Sequence, residues 1–268
     1  MVATTVEYVI FDLDGLLIDT ERIHTQVTNQ ILAPHGEEMT WDIKAGCMGK
    51  PERASAEYLL SFFPSISLSV DSYIEQKNIL QNKLLPSVPL LPGVRKFVQH
   101  LRKHGVPIAV ATSSGRLRYE KKTGHLRDVF DCFEGNIVCA DDEKWEAIAM
   151  KAKPSPDIFL VAARELLGRD VAASGPVSED QNLERKKGLV FEDGFAGVQA
   201  GKRAGMNGVL IYCFYLKSMA NGIPVVWVPD SNLLGVEYTV DEKADVTLRS
   251  IADFIPERWG LPPYDKEL

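Results

Sequence analysis

Two aspartates, one residue apart, follow a short apolar segment near the start of the chain, in the stretch VEYVIFDLDG. The apolar residues 6–11 are typical of a strand buried on both faces, and Asp12 and Asp14 come where that strand would end. Carboxylates are costly to desolvate, so their placement at the end of a buried strand indicates a functional role. In an extended segment the two side chains point to the same side. One carboxylate is able to act as a nucleophile and the other as a general acid and base.

Further polar side chains come at the ends of two other apolar segments, PIAVA and GLVF. They are the hydroxyl residues Thr112, Ser113 and Ser114 after the first segment and the carboxylates Glu192 and Asp193 after the second. In an open parallel sheet, ligands bind outside the carboxyl ends of the strands. We therefore expect these side chains to lie near Asp12 and Asp14.

Either the four carboxylates do not all meet at one edge of the sheet, or a cation lies among them. At about 4 Å and an effective dielectric near 20, each pair of like charges costs roughly 4 kcal/mol. Several such pairs rival the whole stability of a domain, about 5–15 kcal/mol. The candidate metal ligands offer only oxygen, which favours Mg²⁺. They are Asp12, Asp14, Glu192 and Asp193.

A lysine adds positive charge to the same group. Lys153 precedes Pro154 at the start of a predicted helix, and the hydroxyls of Thr112 and Ser114 with nearby backbone N–H groups are able to hold the oxygens of an anion. Mg²⁺, an ammonium and hydroxyl donors around a carboxylate describe a site for phosphoryl transfer. Asp12 is then the candidate nucleophile, forming an aspartyl-phosphate, and Asp14 the candidate general acid and then base.

The elements that must position these residues alternate along the chain between buried strands and amphipathic helices. This alternation predicts an α/β fold with a doubly wound, Rossmann-like parallel sheet. A polar, charged stretch at 168–188 is predicted to be a mobile loop. The predicted strands are 6–11, 107–112, 136–140, 188–193, 207–213 and 224–228, and the predicted helices are 93–105, 154–168 and 194–206.

The segment that follows the two aspartates interrupts the alternation. From 19 to 88 the sequence shows helical periodicity without a buried strand, as in SAEYLLSFF and DSYIEQKNILQNKLL. An ordinary run of crossover helices is the alternative, but the segment is much longer than one crossover needs. We predict a core domain of residues 1–18 and 89–268 and a small inserted α-helical cap of residues 19–88. His24, on the first cap helix, is a candidate substrate residue or a surface residue.

Composition and charge exclude several classes of protein. The chain has 268 residues and a net charge of −7, which argues against sequence-independent nucleic-acid binding. No apolar run reaches the roughly 18 residues that span a bilayer, and the N-terminus does not resemble a signal peptide. The four cysteines are scattered, unlike those of a disulfide framework or a zinc cage. We expect a cytoplasmic protein, monomeric by default, that binds a small phosphorylated metabolite rather than nucleic acid or membrane.

The segments FDLDG, ATSS, KPSPDIF and VFEDGFAGVQAGKRAGM resemble, in order and separation, the four motifs of the haloacid-dehalogenase (HAD) superfamily. The resemblance implies that Asp12 is the nucleophile and that Asp14 is the acid/base, with its backbone carbonyl also on Mg²⁺. It implies a phosphate-binding hydroxyl at Thr112, a charge-stabilising ammonium at Lys153 and metal coordination at Asp193 supported by Glu192. The helical insert is similar to the small α-helical cap of that superfamily.

A wider resemblance connects the chain with the eukaryotic branch that contains pseudouridine-5′-phosphatase and glycerol-3-phosphatase. It rests on LLIDTERIH, TWDIKAGCMGK, HLRKHGVPIAVATSS, VPDSNL and GLPPYD. By this resemblance the cap segment of Lys50 and Arg53 faces the site, so both are candidate substrate contacts. The chain departs from the pattern at Ala152, at Gly194 and in a longer loop at 170–187, which leaves every reactive group in place.

These features predict an Mg²⁺-dependent phosphatase for a small phosphomonoester. The substrate class is a nucleoside or sugar or polyol phosphate, with a compound like pseudouridine 5′-phosphate favoured by the resemblance. One alternative is a sugar phosphomutase of the same superfamily, which returns the phosphoryl group to a hydroxyl instead of water. Another is a non-catalytic phosphate-binding protein, which is expected to lack Asp12, Asp14 or Lys153, and all three are present.

Overall fold

The computed structural model of the chain describes residues 5–47, 50, 52–172, 175–211 and 244–265. These residues fall into two compact units. The first is formed by the described parts of 5–19, 89–211 and 244–265, and the second by those of 20–88. Among the described helices, none has both the length and the apolar character that crossing a membrane requires.

The first unit is built on a parallel sheet of six strands in the order β3-β2-β1-β4-β5-β6. The chain adds strands on one side of β1 first and then on the other, as in a doubly wound α/β fold. The strands are β1 Tyr8–Phe11, β2 Ile108–Thr112, β3 Ile137–Cys139, β4 Gly188–Glu192, β5 Asn207–Ile211 and β6 Val246–Leu248.

The central strand β1 is buried along its whole length because both faces of the sheet are covered. Tyr8 and Ile10 pack on one face in a cluster with apolar residues of the helices that follow β3 and β4. On the other face Phe11 meets Phe97 with ring centroids 5.8 Å apart and Phe191 at 5.1 Å. The near-continuous apolar character of the strand thus reflects burial on two sides.

The helices of the first unit connect the strands and cover the sheet. These helices are α5 Val94–Lys103, α6 Arg116–Thr123, α7 Arg127–Phe130, α8 Asp157–Val161, α9 Glu179–Lys186 and α10 Phe195–Arg203, with short 3₁₀ turns at Asp131–Phe133, Glu143–Ile148, Ile251–Asp253 and Pro256–Trp259. The helix α8 continues directly into a π-helical turn at Ala162–Leu166.

The second unit is helical in its described residues. Its first and last long helices are joined by a buried hydrogen bond of 2.9 Å between the hydroxyls of Thr28 and Tyr73. The Ser69 side chain caps the last helix by accepting from the amide of Ser72. The helices are α1 Thr20–Leu32, α2 Trp41–Cys47, α3 Glu52–Ser61 and α4 Val70–Leu84, with 3₁₀ turns at Ala33–His35 and Leu85–Ser87.

The structure confirms the predicted α/β class, five of the predicted strands and the three core helices, to within a few residues at their ends. The predicted strand at 224–228 lies outside the described residues, as does the end of the segment 207–213. The sixth strand of the described sheet is β6, which the sequence pattern did not indicate. The prediction of a loop at 168–188 is wrong in part, because α9 forms there behind a capping box of Ser178 and Gln181.

Candidate active site

The candidate site lies where the strand order reverses, at the carboxyl ends of β1 and β4. Phe11 pairs in register with Phe191, and the amide of Asp12 donates to the carbonyl of Phe191 over 3.0 Å. The next residues along these neighbouring strands are therefore Asp12 and Glu192. A crevice at such a reversal is the general ligand site of open α/β sheets.

Lys153 joins these two carboxylates. Its Nζ lies 2.5 Å from Oδ1 of Asp12 and 2.7 Å from Oε1 of Glu192, and it donates to the carbonyl of Ala111 over 3.1 Å. All three charged side chains are at least nine-tenths buried. The ammonium thus satisfies all three of its donors in the core, as a buried charge requires.

The loop before α8 holds Lys153 in place through a single carboxylate. Oδ1 of Asp157 accepts from the hydroxyl of Ser155 over 2.7 Å, and Oδ2 accepts from the amide of Lys151 over 2.8 Å. The amide of Ser155 also donates to the carbonyl of Ala152 over 3.0 Å. The motif KPSPD therefore forms a small closed loop with Lys153 inside it.

Two glycines leave the space that the carboxylates occupy. Gly15 has a φ of +80°, and a Cβ there would lie 2.0 Å from Oδ2 of Asp193. A Cβ on Gly197, in the first turn of α10, would lie 1.7 Å from Oε1 of Glu192. The other oxygen of Glu192 accepts from the amide of Gly194 over 3.0 Å. The glycines of FDLDG and FEDGFAG thus serve close packing around carboxylates.

Burial and charge shift the protonation of the central pair. Burial raises the pKa of Asp12, the ammonium of Lys153 lowers it and the charge of Glu192 raises it, with a net value of about 7. For Lys153, burial lowers the pKa, but Asp12 and Glu192 raise it by more, so the ammonium stays charged. A nucleophilic carboxylate must be ionised, so a further positive charge beside Asp12 favours its reactive form.

The donor set fits a hard divalent cation. Oxygens of Asp12, Glu192 and Asp193 lie within 4.8 Å of one another. Three carboxylates against the ammonium of Lys153 leave an excess of negative charge in a buried place. Both oxygens of Glu192 already accept hydrogen bonds, whereas Asp12 accepts from Lys153 on Oδ1. Asp12 and Asp193, with Glu192 beside them, are the candidate carboxylate ligands of Mg²⁺.

The carboxylate of Asp14 has different partners. Its Oδ1 lies 2.6 Å from Nζ of Lys122 and its Oδ2 accepts from the hydroxyl of Ser114 over 2.7 Å. Lys122 also donates to Ser114 over 2.8 Å, so the three side chains form a closed triangle. Asp14 therefore lies outside the carboxylate cluster, with its orientation set by an ammonium and a hydroxyl.

Lys122 is a site residue that sequence reasoning missed. It lies on α6 within the charged stretch RLRYEKKT, where it looks like any solvated lysine. In the structure it is buried, as is Tyr119, which lies three residues earlier and so shares its face of the helix. The spacing to Tyr119 is a weak signal that α6 turns Lys122 inward and Lys121 outward.

The start of α6 is fixed by the loop after β3. Asp141 accepts from the amide of Arg116 over 2.7 Å, and Asp142 binds the guanidinium of Arg116 with contacts of 2.8 and 2.6 Å. Such a bidentate pair has a defined geometry. These contacts position the helix that carries Lys122.

The three hydroxyl residues predicted after β2 have different environments. Thr112 is buried, and its Oγ1 accepts from the amide of Ser114 over 3.0 Å. Ser113 is exposed, and the hydroxyl of Ser114 belongs to the triangle with Asp14 and Lys122. The stretch thus supplies one fixed hydroxyl, one exposed hydroxyl and one that orients a carboxylate.

The three predicted cap residues belong to the helical unit and make contacts within it. Nδ1 of His24 accepts from the side-chain amide of Gln81 over 3.0 Å. The ammonium of Lys50 lies 4.9 Å from the ring centroid of Tyr58. The guanidinium of Arg53 is largely exposed and pairs with Asp71.

Comparison with protein families identifies the chain. The model of haloacid dehalogenase-like hydrolases matches residues 6–205, which include every core residue of the site described above. The chain belongs to the haloacid dehalogenase-like hydrolase family. It is therefore an enzyme of the hydrolase class, as the four motifs indicate.

Similar curated proteins of this family are named as phosphatases. The chain is 34% identical over 261 residues to (DL)-glycerol-3-phosphatase 1, mitochondrial, of Arabidopsis thaliana, covering 97% of this chain and 75% of that protein. It is 34% identical over 259 residues to a probable pseudouridine-5′-phosphatase of Drosophila melanogaster, covering 97% and 96%. The predicted membership of this branch is confirmed at the level of sequence.

Solved structures of the family share the fold. A HAD family hydrolase from Deinococcus radiodurans with bound phosphate and sodium aligns with a TM-score of 0.70 and 22% identity over 97% of this chain and 99% of that chain. A putative beta-phosphoglucomutase from Thermotoga maritima aligns with a TM-score of 0.62 and 24% identity over 92% and 96%. At these identities the likeness extends to the fold.

Proposed function

We propose that the protein is an Mg²⁺-dependent phosphatase that hydrolyses a small phosphomonoester through an aspartyl-phosphate on Asp12. The observation that carries the proposal is the buried contact of Asp12 with Lys153 beside Glu192 and Asp193. A structural carboxylate has no need of a second and third acidic neighbour, because each raises its cost of burial. A nucleophilic carboxylate that works with a metal cation and an ammonium does need these acidic neighbours, because they hold the cation and the ammonium in place.

The reaction follows from the roles of these groups. A carboxylate oxygen of Asp12 attacks phosphorus, the bond from phosphorus to the ester oxygen breaks, and Asp14 as a carboxylic acid protonates the leaving oxygen. Water then attacks the phosphorus of the aspartyl-phosphate, Asp14 accepts its proton, and the Asp12 carboxylate and inorganic phosphate are released. In this scheme Lys122 and Ser114 orient Asp14 for both proton transfers through the contacts described above.

The remaining residues of the site stabilise charge. Lys153 holds Asp12 and offers positive charge to the phosphoryl oxygens, and the Thr112 hydroxyl is a further donor. Mg²⁺ bound by Asp12 and Asp193 would neutralise charge that develops on the transferring phosphoryl group. The backbone carbonyl of Asp14 and the carboxylate of Glu192 complete the proposed surroundings of the metal.

The substrate proposal rests on the relatives. Their names support a polyol or nucleoside monophosphate, and we favour a compound like pseudouridine 5′-phosphate. We propose that residues 19–88 act as a cap and that Lys50, Arg53 and His24 contact the leaving group. The monomeric state and the cytoplasmic location stay predictions from the sequence.

A sugar phosphomutase is the second candidate, because a putative beta-phosphoglucomutase shares the fold. A mutase retains the aspartyl-phosphate but transfers the phosphoryl group to a sugar hydroxyl. Incubation with a hexose monophosphate separates the two: release of inorganic phosphate supports the phosphatase, and an isomeric sugar phosphate without such release supports the mutase.

Hydrolysis of p-nitrophenyl phosphate with Mg²⁺, repeated in excess EDTA, tests the proposed class of reaction. We expect turnover only with Mg²⁺, and a midpoint of Mg²⁺ activation shifted to much higher concentration in Asp193→Ala. Full activity in EDTA contradicts the role of the cation. A screen of phosphorylated polyols, sugars and nucleosides then identifies the leaving group.

A further inference from the structure

Two segments that take no part in the phosphoryl chemistry, HLRKH at the end of α5 and GLPPYD near the end of the chain, meet in the structure. His100 and His104 are four residues apart, so their imidazoles share one face of the helix. Their ring centroids lie 4.5 Å apart. One ring nitrogen from each histidine and a carboxylate oxygen of Asp265 lie within 4.8 Å of one another.

A hydrogen bond to the backbone fixes the ring of His100. This histidine is buried, and its Nε2 lies 2.9 Å from the carbonyl oxygen of Pro262. A carbonyl only accepts, so Nε2 carries the hydrogen and Nδ1 keeps its lone pair. A ligating histidine commonly donates its other N–H to a carbonyl or carboxylate in this way, which fixes the ring and its tautomer.

The third group is the carboxylate of Asp265, whose two oxygens face Lys103 and His104. Oδ2 of Asp265 lies 2.7 Å from Nζ of Lys103, and this hydrogen bond lowers the pKa of Asp265. Oδ1 lies 3.5 Å from Nε2 of His104. Two donors that each bind a tetrahedral ion at about 2.0–2.1 Å are separated by about 3.3 Å, so this pair needs little movement to share one.

We propose that His100, His104 and Asp265 form a binding site for a divalent transition metal of the Zn²⁺ type, separate from the Mg²⁺ site. Two imidazoles and a carboxylate favour Zn²⁺ over Mg²⁺, which takes oxygen ligands. Water fills the fourth position.

The metal would join the end of the chain to α5. The C-terminal segment already packs on this helix through Tyr264, whose ring centroid lies 4.8 Å from that of His100 and 6.5 Å from that of Phe97. The bound ion would fix Asp265, which is otherwise an exposed residue held by Lys103. This role is structural and does not depend on the proposed function of the catalytic site.

Lys103 gives the proposal a distinctive test. Its ammonium competes with a cation for Asp265, so removing it should strengthen metal binding, whereas removing a ligand should weaken it. If Lys103 and Asp265 form only an ion pair and there is no metal site, neither the removal of Lys103 nor the removal of a ligand should change the affinity for metal.

The experiment is calorimetric titration of the metal-stripped protein with Zn²⁺, in excess Mg²⁺ that occupies the acidic cluster. His104→Gln and Asp265→Asn should raise the Kd for the binding of one Zn²⁺ by about 10–100-fold or more. Lys103→Met should lower that Kd. His35→Gln, at an exposed histidine of the helical unit, is the matched control and should bind as the wild type does.

Thermal unfolding provides the second readout. Zn²⁺ should raise the Tm of the wild type and of His35→Gln but not that of His104→Gln, because only binding to the folded state stabilises it. Mg²⁺-dependent phosphatase activity should be the same in all of these variants. Equal Zn²⁺ affinity in His104→Gln and His35→Gln, weaker binding in Lys103→Met, or absence of Zn²⁺ binding by the wild type would overturn the proposal.

Discussion

Replacing Lys122 by methionine removes the ammonium that orients Asp14 while keeping a long apolar stem in the same buried place. In the structure this ammonium contacts Oδ1 of Asp14 at 2.6 Å and the hydroxyl of Ser114 at 2.8 Å. After the substitution the Ser114 hydroxyl, 2.7 Å from Oδ2, still contacts the carboxylate. We expect Lys122→Met to lower kcat with little change in KM, because in the proposed mechanism Asp14 acts in bond breaking and not in the initial binding of phosphate.

The magnitude follows from burial. A hydrogen bond between charged groups contributes about 1.5–3 kcal/mol. The Lys122 side chain is 7% exposed but that of Asp14 is 31% exposed, so water replaces part of the lost contact. We therefore expect about 1–2 kcal/mol less stability. General acid–base catalysis contributes about 10²–10⁴-fold, and a disoriented acid retains part of it, which predicts a kcat roughly 10–100-fold lower.

Lys121→Met is the matched control, because Lys121 is the exposed neighbour on the same helix. Steady-state kinetics and urea unfolding of both variants separate a catalytic effect from a folding defect. A double-mutant cycle with Ser114→Ala measures the coupling within the triangle, which we expect to be about 0.5–3 kcal/mol. Equal kcat values for Lys122→Met and Lys121→Met, or additive effects in the cycle, would refute the positioning role.

Three further substitutions test other parts of the site. Gly15→Ala should weaken Mg²⁺ activation and destabilise the fold by about 1–2 kcal/mol, because its Cβ would lie 2.0 Å from Asp193 at a φ of +80°. An unchanged Mg²⁺ concentration for half-maximal activity would contradict the importance of this close packing. In EDTA, the raised pKa of Asp12 contributes stability that is fully present below its ordinary value of 3.8 and is lost as pH rises through about 7. In thermal melts over this pH range, the Tm of Asp12→Asn should fall less with rising pH than the Tm of the wild type. Parallel plots of Tm against pH for the wild type and Asp12→Asn would contradict the raised pKa of Asp12. Lys50→Ala should lower kcat/KM for the true substrate by roughly 10–150-fold but hardly for p-nitrophenyl phosphate, given about 1.5–3 kcal/mol for a charge-assisted contact; equal losses on both substrates exclude a role in recognising the leaving group.

The sequence was sufficient for the central strands and the residues at their ends. Continuous apolar runs such as 6–11 and 188–192 have few interpretations besides strands covered on both faces. Once they pair in parallel, residues directly after them must share one edge of the sheet. This is why Asp12, Glu192 and Asp193 could be placed together before any geometry was known.

Other elements could not be predicted because their signals are weak or nonlocal. The strand β6 has three half-buried or exposed residues and no apolar run. The helix α9 carries no buried residue, and its one local signal was the capping box of Ser178 and Gln181. Beyond the weak signal of its spacing to Tyr119, Lys122 differs from Lys121 through the packing of α6, which depends on Arg116 and the loop after β3.

The most direct test of the proposed mechanism is to identify the residue that is phosphorylated during turnover. The enzyme with Mg²⁺ and p-nitrophenyl phosphate is quenched in acid within one turnover, digested and examined by mass spectrometry. We predict a phosphoryl adduct on the peptide that contains Asp12, located on Asp12 itself and absent from Asp12→Asn, which should fold normally and turn over no substrate. An Asp12→Asn variant that still hydrolyses the ester, or an adduct on another residue, would contradict the assignment of Asp12 as the nucleophile.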